Sequence, residues 1–133
     1  MGKPDAKSIW TTGIVAAVVA AVINAALAVI GTQVFGLNAS GAFQPLQGPG
    51  PAIIFTLLFL LIATLVFQVV ANRSDRPVAQ FRTIAIVALA LSLIPDFLMV
   101  SQPGGGWGEA ILLMVMHVVA AAVIYGAFAR KFA

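Results

Sequence analysis

Residues 9–30 read IWTTGIVAAVVAAVINAALAVI, a run with no Asp, Glu, Lys or Arg in it. At about 1.5 Å of rise per residue, roughly 20 such residues reach across a hydrocarbon layer about 30 Å thick. Three further apolar stretches follow, at about residues 51–70, 78–100 and 109–129. Backbone groups in lipid must be satisfied within the segment, and period-2 alternation is missing, so each stretch is expected to be a helix rather than a barrel strand. The predicted fold is an all-α membrane protein, a four-transmembrane-helix bundle, with residues 1–133 as a single transmembrane domain. Ala26-Leu27-Ala28 resembles a signal-peptide cleavage site, but a signal core of about 7–15 residues is shorter than this run. The first stretch is therefore read as a retained span.

Composition agrees with the pattern. Hydrophobic residues make up 62% of the 133 and charged residues 8%, with a mean hydropathy of +1.09, against about half and about a quarter in soluble domains. Too few charges are present to dress a water-facing surface. The net charge of +3 does not point to nucleic acid, because the basic residues flank the spans, where lipid headgroups and orientation account for them. With no cysteine, disulfides, thiolate metal sites and cysteine nucleophiles are excluded.

All seven basic residues fall on one side once the spans are drawn. Lys3 and Lys7 precede the first span, Arg73, Arg76 and Arg82 sit around the second connection, and Arg130 and Lys131 follow the fourth. The positive-inside rule then predicts both termini and the second connection in the cytoplasm, in a bacterial inner membrane. The first outer loop, from Gly31 to Gly50, is uncharged and rich in Gly, Gln and Pro, a composition suited to a surface lid. It contains Asn38-Ala39-Ser40, a short glycosylation-type match. Trp10 and Trp107 are expected at opposite membrane faces as interfacial anchors.

Small residues mark where helices approach. Gly13, Ala17, Ala21 and Ala25 recur every four positions in the first span, and Ala122 with Gly126 forms a shorter version in the fourth. Such faces serve packing within the chain, a larger membrane-protein complex or a homo-oligomer. Phe55, Phe59 and Phe67 in the second span suit lipid contact or the filling of a void.

Polar residues inside spans are the candidates for a ligand site, because each is expensive in hydrocarbon. Counted from the outer ends of their spans, Asp96 lies roughly 6 Å deep, Asn24 roughly 9 Å and His117 roughly 12 Å. Glu109 opens the fourth span, where its charge also complements the helix dipole. Pro95 removes a backbone hydrogen bond beside Asp96. The sharp expectation is an Asp96–His117 pair, assisted by Asn24 and overlooked by Glu109, lining an outward-facing polar pocket. The plain one ends the third helix near Ile94, with Asp96 in the headgroups and His117 bonded to backbone or to Asn24. Gln68, about a turn from the cytoplasmic end, reaches headgroups. His117, with Ala120 and Ala121 one turn on, also offers a ligand for a pigment or haem metal, though a second histidine is missing and position 113 is Leu113. Met99, Met114 and Met116 lack the spacing of a copper site and read as core filler.

No GxSxG, HExxH, Walker A or GxGxxG motif occurs, so no enzyme activity, cofactor or metal site is predicted. The third span's Leu91-Ser92-Leu93-Ile94-Pro95 and the fourth's Leu113-Met114-Val115-Met116-His117-Val118-Val119-Ala120, with the Pro/Gly-rich first outer loop, resemble an uncharacterised family of small bacterial four-span integral membrane proteins. The resemblance covers most of the chain from Gly48 onward. It implies the fold and a bacterial inner membrane, and it transfers no site residue. Two functions fit: a non-enzymatic accessory or assembly subunit of a larger membrane complex, and a binder or carrier of a small or lipidic ligand using Asn24, Asp96 and His117.

Overall fold

The protein is described by a computed structural model over residues 2–37 and 46–133. Four helices follow in order: α1 Ala6–Gln33, α2 Pro49–Arg73, α3 Pro77–Met99 and α4 Trp107–Phe132. All four are long and apolar enough to cross a membrane. Each outruns or matches the span expected from sequence, α1 by several residues at both ends, because helical hydrogen bonding continues into the headgroup region after the apolar run stops. The sequon at Asn38 and part of the expected lid lie outside the described residues.

Local chemistry sets the helix ends. Asp5 caps α1 by accepting from the Ser8 backbone N–H at 2.9 Å. Proline opens α2 and α3 in the first turn, where its missing N–H has no helical partner to lose. Gly48, just before α2, adopts φ 141°, a conformation open to glycine.

The helices alternate in direction. The starts of α1 and α3 meet the ends of α2 and α4 in one cluster that includes Ile9, Phe67, Phe81 and Phe128. The opposite ends meet in a second, with Ala28, Leu46, Ala52, Ala110 and Leu113. Lys3 Nζ donates to the Asn72 carbonyl at 2.9 Å, tying the N-terminal segment to the end of α2. The chain termini and the basic residues thus share one end, called here the basic end; the other is the loop end.

The central helix is α1, which packs most extensively on both α2 and α4, while α3 packs mainly on α4 and much less on α2. Its buried positions are Ile9, Gly13, Ala16, Ala17, Ala20, Ala21, Asn24, Ala28 and Gly31. An every-four row drifts around a helix of 3.6 residues per turn. The contact therefore passes from Gly13, Ala17 and Ala21 to Asn24 and Ala28, leaving Ala25 half-buried. A Cβ on Gly13 would overlap the Thr64 side chain of α2, and one on Gly31 would overlap Leu112 of α4. These are the close approaches that small residues permit. The Ala122/Gly126 face makes no such approach within the chain: Ala122 is exposed and a Cβ on Gly126 would meet nothing within 4 Å. On α4 the packed face is Ala110, Leu113, Met116, Ile124 and Phe128 instead.

At the basic end, Phe67 stacks on Phe128 with centroids 4.1 Å apart and an interplanar angle of 8°. Phe81 meets both edge-on, at 5.2 and 5.4 Å, a geometry that aligns ring edges with ring faces. Of the three phenylalanines singled out in α2, Phe67 fills the interior while Phe55 and Phe59 are exposed. Only Phe81 and Asp96 of α3 are buried.

Candidate functional site

Asp96 and His117 are joined: His117 Nδ1 lies 2.8 Å from Asp96 Oδ2. Asp96 is almost wholly buried, whereas the His117 side chain is 38% exposed. The helix α3 does not end near Ile94; it runs through Pro95 to Met99, so Asp96 projects from a continuous helix. Proline has no N–H for the Leu91 carbonyl, but its ring is accommodated because this flank of α3 is unpacked and exposed.

Asp96 stands three residues before Met99 and His117 ten residues after Trp107, yet their side chains meet. Side chains lean toward the N-terminus of their own helix, so in this antiparallel pair the imidazole reaches toward the loop end and the carboxylate toward the basic end. The rings of Phe97 and Trp107 meet edge-on at 6.0 Å, which keeps the loop ends of α3 and α4 near one level.

Asn24 stands next to this pair. Its Nδ2 donates to Thr56 Oγ1 at 3.0 Å and to the Met116 carbonyl at 3.2 Å, joining α1 to α2 and α4. A carbonyl only accepts, so the amide nitrogen must be the atom facing Met116. That leaves Asn24 Oδ1 buried with no hydrogen-bond partner among the described residues. An orphaned buried acceptor costs about 1–3 kcal/mol, which makes its retention informative. Gln68, nearer the basic end, donates to Asn72 Oδ1 at 3.2 Å and leaves its own Oε1 unpartnered.

The pair and Asn24 line a cavity of about 720 Å³ bounded by α2, α3 and α4, within the usual range for ligand sites of about 300–1,000 Å³. Its polar members are Asn24, Thr56, Ser92, Asp96 and His117, clustered toward the loop end; the remaining wall is aliphatic and aromatic. The expected polar pocket is thus an apolar chamber with a polar head. Phe55, Phe59, Ile62, Ile84 and Ala88 line it and are also exposed, so it opens sideways between α2 and α3, facing the lipid. Ala120 and Ala121 make room beside His117.

Glu109 is not part of this chamber. It stands in the first turn of α4, and its Oε2 would lie 2.8 Å from a Cβ on Gly106, where a carboxylate complements the helix N-terminus. Met99 and Met116 line the chamber, while Met114 packs at its edge against the loop-end cluster. Among the described residues no three His, Asp or Glu side chains converge on a metal position. Ser92, a polar residue within a span and so a candidate from sequence, lines the chamber and bonds its own backbone at Leu89, 2.7 Å away; Thr56 escaped sequence reading, since a hydroxyl in a helix usually does the same.

Fold and site together define a four-helix membrane-spanning bundle with an acid–imidazole pair at the head of a lateral apolar chamber. The chain belongs to a family of unknown function, DUF6069, matched over residues 4–133. No curated protein and no solved structure matches the chain.

Proposed function

We propose that this protein is a non-catalytic membrane protein that takes an amphiphilic, lipid-like molecule from the bilayer into the chamber between α2 and α3. The carrying observation is the chamber itself: about 720 Å³ of apolar space whose one polar end holds the hydrogen-bonded Asp96–His117 pair. A lateral mouth suits a ligand that partitions into lipid, and a polar head at one end suits a molecule with two unlike ends. The charge distribution supports a bacterial inner membrane setting with both termini in the cytoplasm and the chamber's head in the outer half.

The test is purification in mild detergent or native nanodiscs, followed by mass spectrometry of bound lipids and an absorption spectrum. One amphiphile should be retained at near-stoichiometric level by the native protein and lost from Ala88→Trp, which fills the chamber from the α3 wall. Identical lipid profiles in both would remove the binding reading, and a visible chromophore would redirect it to a pigment held by His117. Single cysteines at the exposed positions Asp75 and Gln102, in a chain with no other thiol, should label from opposite sides of the membrane, Asp75→Cys from the cytoplasm.

A second reading rests on α3. With only Phe81 and Asp96 buried, α3 leaves most of its apolar surface to its surroundings, so a partner's helix is an alternative occupant for the gap. Equimolar co-purification of one membrane protein, abolished by Ala88→Trp, would favour an accessory subunit of a larger complex.

A further inference from the structure

We infer that the ligand's head is an uncharged hydrogen-bond donor, the hydroxyl of a lipid-like alcohol, received by His117 Nε2. This rests on the binding reading above and adds the chemistry of the head.

Asp96 Oδ2 holds His117 at Nδ1, so a neutral ring donates from Nδ1 and keeps its lone pair on Nε2. That nitrogen has no hydrogen-bond partner among the described residues, and the ring that carries it is 38% exposed and lines the chamber. Asn24 Oδ1, anchored one residue away through the Met116 carbonyl, is likewise an unpartnered acceptor. The head of the chamber therefore holds two unpartnered acceptors, and Thr56, whose hydroxyl already accepts from Asn24, is the one side chain there with a proton left to give among the described residues. It also lacks a lysine or arginine: none of the seven lines the cavity, while the Asp96 carboxylate does. A phosphate or carboxylate head would meet a buried acid with no lysine or arginine to receive it. A hydroxyl supplies the missing donor and brings no charge.

Three probes sharing one chain separate these possibilities: farnesol, farnesyl methyl ether and farnesoic acid. Binding of tritiated farnesol to the purified protein in phosphatidylcholine nanodiscs is read by scintillation proximity, with each unlabelled compound as competitor. Farnesol should compete at least about tenfold better than the ether, which lacks the donor and leaves the acceptor unpaired. The acid should be weaker by a similar factor. His117→Ala should abolish the alcohol-over-ether preference. If the ether or the acid competes as well as farnesol on the native protein, the donor-head inference is overturned, though saturable binding removed by Ala88→Trp still upholds the chamber. If farnesol binding is absent, or survives Ala88→Trp unchanged, both readings fall. The comparison among competitors uses native protein alone, so it holds even where a variant misfolds.

Discussion

The same four helices are sealed at one end and parted at the other. At the basic end, Phe67, Phe81, Phe128 and Phe132 bring α2, α3 and α4 into contact through stacked and edge-on rings. Toward the loop end, α2 and α3 separate around the chamber, and α3 is held to α4 by the polar pair His117–Asp96 together with the edge-on rings of Phe97 and Trp107. Lipid gives no hydrophobic drive for helices to associate, so close packing and hydrogen bonds must do it. The basic end closes by ring packing, and the loop end adds a polar joint to its apolar cluster. The lesson is that shape-matched rings close a bundle, whereas a hydrogen bond joins two helices at a point and leaves space beside it.

Substitutions at the two ends should separate these roles, and the largest effect is expected at the sealed end. Phe67→Ala removes the ring stacked on Phe128 and met edge-on by Phe81, from a side chain with no exposed surface. A loss of about 3–5 kcal/mol is expected, read as a fall in thermal or denaturant midpoint in detergent. A smaller loss would mean the chamber extends through the aromatic plug. Gly13→Val forces a side chain into Thr64 and should cost about 1–3 kcal/mol, visible as broadened size-exclusion behaviour when α1 and α2 splay.

At the open end the same assays should respond less. Asp96→Asn weakens one interhelical hydrogen bond, for which about 1–2 kcal/mol is the scale in membranes. Its clearest readout is loss of retained amphiphile rather than unfolding. Smallest of all, Ala122→Leu adds bulk to an exposed face and should change stability by less than about 0.5 kcal/mol. A shift from monomer to larger species upon that change, or its reverse, would expose a contact between copies that the single chain does not show.

Much of this comparison could be read from sequence, and the failures have a physical pattern. Span number and helix identity follow from the length of apolar runs, which depends on bilayer thickness alone. The candidates Asn24, Asp96 and His117 stood out because polar atoms in hydrocarbon are costly, and the structure gathers all three on one cavity. What the sequence misjudged was relative position. Depth was counted along the helix axes alone, so the opposed lean of the Asp96 and His117 side chains was left out, and Glu109 was set to overlook a chamber whose lining does not include it. The every-four row was extended to Ala25, although helical drift had already turned the contact toward Asn24 and Ala28. The chamber's apolar character was missed too, because Phe59, Ile84 and Ala88 look like ordinary lipid-facing residues until two helices part between them.

The two-point attachment of α3 has one more effect. Its buried side chains, Phe81 and Asp96, stand about 22 Å apart along the helix. Between them the α3 wall of the chamber has no buried side chain to unseat, so the middle of the helix can bow outward around a wider guest while both joints stay closed.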